Sequence, residues 1–472
     1  MQKPDPAPPA GPVTSARDRV PFLQKVAIGL GEIPSIGRQG IEQLALPIYN
    51  ITLGVNPMLI TLVLSLARFW DAIMHAVAGT VSDNTRSRFG RRRPYVLAGA
   101  IVCGLTLPAI WLMPPDLSET GYFVFFLVTV FVYFTAYSFF DVPLAALAME
   151  ATPDYHERTR VAAYKSFFVQ LMGIASAWLF AITQLDSFDG TLQGARFTGV
   201  TMGVMVMVFG MIPALTIREG YRKLSAVRKG LPFYQGIRAT FLNRPFVLLC
   251  GIAAGNGICG NMVGALGLYI TVYHVYDGDL KAAAWLSGLW GTVFQLSTIA
   301  ALPLVTWLST RIGKIRTLQL CLAILLVGAV SKWFTYGPEW PHLVLVTAVL
   351  LGPGQTAFYT IIRSMVADIC DYDELETGLR REGMYASMQA WVDKAMGSLA
   401  TVLSGLVLVV VGFDQSAGGH QAPDTLFYMR LAFVAIPVIG VTIALVALRF
   451  FPLNEERMRE IRRELETRRG AV

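Results

Sequence analysis

Twelve stretches of about twenty or more mostly apolar residues, parted by short charged connections, leave this chain one workable solvent, a lipid bilayer. They lie at roughly 24–52, 57–81, 94–114, 121–148, 161–184, 197–217, 246–275, 282–308, 317–336, 342–366, 384–412 and 426–451. With 54% hydrophobic and 15% charged residues and a mean hydropathy of +0.52, an ordinary soluble domain is excluded. The expectation is an all-α polytopic membrane protein.

The net charge of +7 does not point to nucleic acid, because the arginines sit in short loops beside apolar runs. The loop after span 2 carries Arg86, Arg88, Arg91, Arg92 and Arg93, and the connection after span 6 carries Arg218, Arg222, Lys223, Arg228, Lys229, Arg238 and Arg244. The opposite loops contain almost no Lys or Arg. By the positive-inside rule the basic loops face the cytoplasm. An even number of spans then puts both termini there, in a cytoplasmic (inner or plasma) membrane.

The longest basic connection divides the spans six and six, as expected of two structural repeats. The expected domains are a tail at 1–22, a six-helix bundle at 23–217, a linker at 218–245, a second bundle at 246–451 and a helix-prone tail at 452–472. "SRFGRRRP" and "TRIGKIRT" occupy corresponding places in the two halves, and Gly90 and Gly313 there suit tight reversals. The Pro/Ala-rich start has no apolar core of a signal peptide. Five cysteines (Cys103, Cys250, Cys259, Cys321, Cys370) lie within or beside apolar runs without a CxxC pair, so neither a metal nor a disulfide framework is expected. No HExxH or GxSxG appears, and an enzyme is not expected.

"GTVSDNTRSRFGRRRP", with Gly79, Asp83, Arg88, Gly90, Arg91 and Arg92, resembles the loop motif of the major facilitator superfamily. Together with "RFWDAI" in span 2 and "SMVADICDYDELETGLRREGMYASMQAWVDKAMGSLA" near span 11, the chain is similar to the glycoside-pentoside-hexuronide:cation symporters, the melibiose permease group. The resemblance implies two six-helix bundles rocking about a central cavity that a cation and a small organic solute share. The implied solute is a sugar or glycoside, the implied partners are that solute and the bilayer, and the expected state is a monomer with no cofactor.

Charges at mid-bilayer cost at least about 2.5 kcal/mol and persist where they face a water-filled path or a partner. Asp71 lies fourteen residues into its span, about 21 Å deep. Arg68, Asp71 and His75 are spaced to share a helix face. The resemblance makes Asp71 a cation-site acid; the alternative is an Arg68–Asp71 pair that only holds the bundle together. Asp141, with Ser138 three residues earlier, matches a sugar- and cation-associated acid, and Pro143 after it is expected to open the helix locally. Lys394 and Gln389 match a cavity-facing lysine and glutamine, Lys394 neutralising Asp71 or Asp141 when no cation is bound. Further solute contacts are expected from Lys165 and Arg38, the latter of which could simply pair with Glu42; Tyr359, Lys332 and Arg363 are of second rank, Tyr359 as a ring that could stack on a sugar. Span 1, rich in Gly and Pro, is expected to be irregular.

The chain departs from the family pattern at two places. Where a second acid is common in span 2 it has His75, preceded by Met74, and nitrogen and sulfur suit sodium poorly. Coupling to H+ is therefore expected over Na+, since His titrates nearest neutrality. On the sugar side Ala145 and Ser166 replace a ring-stacking tryptophan and an arginine, so galactoside specificity does not carry over. The reading is a cation-coupled symporter; an uncoupled carrier, a carrier of an anionic or lipid-like solute, and a transport-fold sensor are the alternatives.

Overall fold

The computed structural model describes residues 19–85, 87–152, 155–217, 233–378, 381–414, 417 and 420–469. Arg86 and the basic residues between 218 and 232 lie outside them. Among the described residues the chain is helical, without strands: α1 (Phe22–Leu30), α2 (Ser35–Ala45), α3 (Pro57–Asn84), α4 (Arg93–Trp111), α5 (Glu119–Glu150), α6 (Tyr155–Ala177), α7 (Leu179–Thr183) and α8 (Thr191–Thr216) precede the linker. After it come α9 (Phe233–Leu242), α10 (Arg244–Ile270), α11 (Leu280–Ile312), α12 (Lys314–Thr335), α13 (Val344–Thr377), α14 (Glu382–Val410), α15 (Pro423–Arg449) and α16 (Glu455–Arg469).

Among the described residues ten helical stretches are long and apolar enough to cross a membrane. The other two expected spans, 24–52 and 246–275, are not uniform α-helix. Residues 22–52 form α1, α2 and a π-helical segment, Leu46–Thr52, and α10 also ends in one, Thr271–Val275. Span 1 is irregular as its glycines and Pro34 suggest. Pro143, in contrast, does not open α5, which runs through it to Glu150; a transmembrane helix tolerates proline where neighbours satisfy the freed carbonyl. The linker holds a helix, α9, that its basic composition did not announce. α13 continues past the expected end at 366 to Thr377, where Gly378 takes a left-handed cap (φ 71°).

Starts and stops follow local chemistry. Asn56, Ser118, Asn243 and Asp279 accept bonds from backbone N–H groups of the first turns of α3, α5, α10 and α11, at 2.8, 3.1, 3.2 and 3.0 Å. Gly90 and Gly313, at φ 104° and 85°, make the two reversals expected of them.

α1–α8 form one bundle and α10–α15 the other, and the main contact between them is α3 against α14, with α6 against α11. Where helices cross closely the residues are small: a Cβ on Gly104 would lie 2.7 Å from the carbonyl of Gly203, and one on Gly99 2.9 Å from the Phe140 backbone. Without a hydrophobic drive between helices in lipid, such close packing supplies the cohesion. The outer faces are apolar: Val124, Val128 and Val132 on α5 and Val200, Val204 and Val208 on α8 form exposed stripes one turn apart.

Candidate functional site

Three helices bring four ionisable groups together midway along the α3–α14 contact. α3 supplies Asp71 and His75, one turn apart; α5 supplies Ser138 and Asp141; α14, from the other bundle, supplies Lys394. Trp70 fixes the rotation of α3 by donating to Thr135 of α5 at 2.8 Å and stacking on Phe131.

Asp71 is buried, with 7% of its surface exposed. One of its oxygens accepts from Ser138 Oγ at 3.1 Å, and the other faces Lys394 Nζ at 3.3 Å. Lys394 Nζ is also 3.0 Å from Nδ1 of His75. An ammonium only donates, so Nδ1 accepts and carries no proton while this contact holds. The other ring nitrogen, Nε2, lies 3.4 Å from Asp71 and 3.8 Å from Asp141, without a hydrogen-bond partner. Asp141 is half-buried. Two carboxylates, one ammonium and a neutral imidazole leave the cluster one negative charge, the complement of one bound cation. Among the described residues no group of three or more His, Cys, Asp or Glu could hold a metal ion.

The remaining expected residues fall into separate places. Arg68 does not pair with Asp71. Its guanidinium turns to Glu42 (3.4 Å) and donates to Thr401 of α14 (3.0 Å), while Arg38 faces the same Glu42 at 3.7 Å. Spacing placed Arg68 and Asp71 on one face, but a long guanidinium reaches round to whichever acid a neighbouring helix presents. Lys165 pairs with Glu32 at 2.8 Å, inside the first bundle. Gln389 donates to Asp393 at 3.0 Å and lies beside Cys250, inside the second. Tyr359 is exposed, its ring edge-on to Phe358.

The loop motif is a clasp at the basic end of the first bundle. Arg92 binds Asp83 at 2.6 Å and Glu150 at 2.8 Å, Arg91 binds Glu150 at 2.9 Å, and Arg93 donates to the Ala214 carbonyl of α8 at 2.7 Å. Arg88 lies over the Phe89 ring, and Gly79 gives Val142 ordinary clearance. In the second bundle Lys314 binds Asp368 at 2.6 Å and Arg381 binds Asp373.

Contacts between the bundles are one-sided. The hydrogen bonds and ion pairs that join them among the described residues run from Lys394 and Arg68 at mid-height to the end opposite the arginine-rich loops. At that far end Tyr269 donates to Asn50 at 2.6 Å and Lys281 meets Asp186 at 2.6 Å; between them Trp178 bonds Thr292 and Gln295 bonds Gln170. Asn50 is fully buried; its polar side chain in an apolar run was the one sequence signal of this closure. These contacts hold the bundles together from mid-height to the far end.

The sequence matches the family described as MFS/sugar transport protein over residues 39–455. The chain belongs to that family. It is 23% identical to the isoprimeverose transporter of Lactiplantibacillus pentosus, over 93% of this chain and 90% of that one, and 24% identical to a glucuronide carrier protein homolog of Escherichia coli, over 89% and 90%. A bacterial homolog of the human lysosomal transporter Spinster, solved in an inward-facing, unoccupied conformation, superimposes with a TM-score of 0.70 at 15% identity, covering 91% of this chain and 97% of that one. The major facilitator fold is thereby shown: a multi-pass membrane transporter, not an enzyme.

Proposed function

We propose that this family member carries a sugar, glycoside or related small organic solute together with one proton, by alternating access in a cytoplasmic membrane. The observation that carries the reading is the imidazole of His75 held among Asp71, Asp141 and Lys394. A proton arriving at the ring or at a carboxylate removes an acceptor from Lys394, and Lys394 belongs to the opposite bundle. Loading therefore loosens a link between the bundles, and unloading restores it. Lys394 takes the proton's place once the proton has left, so the empty carrier crosses back with one of its two acids paired rather than both bare, which would be more costly inside a membrane.

With the basic loops cytoplasmic, the conformation is open to the cytoplasm and both tails, 1–22 and 452–472, lie there. The bundles at 23–217 and 246–451, joined by the linker at 218–245, rock about the central cavity. Asp141, half-exposed to the opening, serves solute and proton together. Lys165, Arg38, Gln389 and Tyr359 complete the solute side in other conformations. The named solutes of the relatives support a glycoside-like cargo, and His75 with Met74 supports a proton over a sodium ion as the driver.

Proteoliposomes holding the purified protein test this. A pH gradient, acidic outside, is expected to accumulate labelled glycoside at clamped potential, and a sodium gradient at equal pH is not. Asp71→Asn and Asp141→Asn are expected to abolish uphill uptake. Sodium-driven accumulation, or undiminished accumulation in both variants, rejects the assignment. Downhill flux that a protonophore leaves untouched points to the uncoupled alternative.

A further inference from the structure

Lys332 lies in the last turn of α12, near the far end of the second bundle, and is not part of the coupling cluster. A lysine three residues from a helix end ordinarily extends its stem to reach the membrane surface. This one turns inward. It is 5% exposed, its Nζ sits 4.3 Å above the Phe433 ring, and among the described residues no acid pairs with it. Arg430, beside it, anchors this end instead by donating to the Trp333 carbonyl at 2.9 Å.

Lys332 forms part of the wall of a cavity of about 490 Å³ between the bundles, which extends to Arg68 and Glu42. That volume suits a small organic ligand. The wall is mainly apolar and aromatic, with Trp290, Phe294, Tyr336 and Phe433 on it, and a few amides and hydroxyls such as Asn256 and Gln355. Glu42 is the only acid among the described residues on it, and that acid is already engaged by Arg38 and Arg68. Lys332 and Arg68 against Glu42 leave the wall one positive charge in excess. A buried ammonium with only a ring face for company lacks its main stabilising partner, and a partner that arrives with the cargo supplies it.

We infer that Lys332 is the anion-binding residue of this cavity and that the solute carries one carboxylate on an apolar or ring-faced body. One ammonium balances one negative charge, which favours a carboxylate over a phosphate monoester, and the aromatic wall favours an amphipathic body over a bare hydrophilic sugar. The inference rests on the transporter reading only in taking this cavity as part of the solute path.

Titration calorimetry on the purified full chain tests it with three probes: p-nitrophenyl glucuronide, p-nitrophenyl glucoside and methyl glucuronide. The nitrophenyl glucuronide is expected to bind at least about tenfold more tightly than either of the others, a difference of about 1.4 kcal/mol. Lys332→Met is expected to erase the charge preference while glucoside affinity stays within about twofold, and Lys332→Arg to keep it. Equal affinity of the wild type for glucuronide and glucoside, no binding of any probe, or a preference that survives in Lys332→Met overturns the inference. The wild-type comparison decides even where a variant fails to fold. Charge-selective binding without proton-driven uptake removes the coupling proposal alone. Proton-driven uptake of the glucoside with no charge preference removes this inference alone.

Discussion

Lys394 serves two acceptors on another helix, Asp71 and His75, and in the proposed coupling a single proton disturbs this sharing. A glutamine in place of His75 still accepts from an ammonium but does not titrate. In His75→Gln, the rise of uptake as external pH is lowered from about 7.5 to about 5.5 is expected to disappear. Initial rates of solute uptake measured across that range check this, and a pH profile like that of the wild type excludes His75 as the titrating group. Lys394→Met leaves Asp71 without its cation. Exchange of labelled for unlabelled solute is expected to persist, since the loaded carrier does not need the lysine, while net accumulation falls at least about tenfold. Equal loss of both would mean that Lys394 is needed for folding or solute binding rather than for the return of the empty carrier.

At the scale of helices, close crossings decide which conformation is reachable. A Cβ at Gly405 on α14 would lie 2.1 Å from Thr61 Oγ and 3.1 Å from the Pro57 carbonyl at the start of α3. Gly405→Ala therefore wedges the far end apart, at a cost of about 1–3 kcal/mol to the closed arrangement. A cysteine placed at Ser287, on the cavity wall, is expected to react faster with an impermeant maleimide from the far side when Gly405→Ala is present. Unchanged labelling shows that α3 and α14 part elsewhere. The arginine clasp around Asp83 and Glu150 acts within one bundle and binds α3, α4 and α5 into a rigid unit. Rocking then has to occur between bundles.

For the whole molecule, the balance between its two openings depends on the contacts that close the far end. The buried Tyr269–Asn50 bond contributes about 1 kcal/mol net, whereas the exposed Lys281–Asp186 pair contributes little. Tyr269→Phe leaves Asn50 partly unsatisfied and is expected to raise the far-end-open population several-fold, as read by distances between spin labels on α3 and α14. Lys281→Gln is expected to leave that population within about twofold. The opposite ranking of the two variants would place the closure at the rim.

The all-helical, membrane-spanning character and the two glycine reversals were legible in the chain because hydropathy and φ preference act over a few residues. Asp71, His75, Asp141 and Lys394 stood out as well, since a charge in an apolar run is conspicuous at any position. Their partners were not legible. Arg68 was one turn from Asp71 and chose Glu42 on another helix; α5 ran unbroken through Pro143; Asn50 mattered for the Tyr269 hydroxyl across the bundle interface, and Lys332 for the cavity it lines. A side chain's period along its own helix says which way it leaves the axis, but in a low-dielectric interior its energy is set by the groups on other helices that meet it. Those meetings exist only once the bundles have packed.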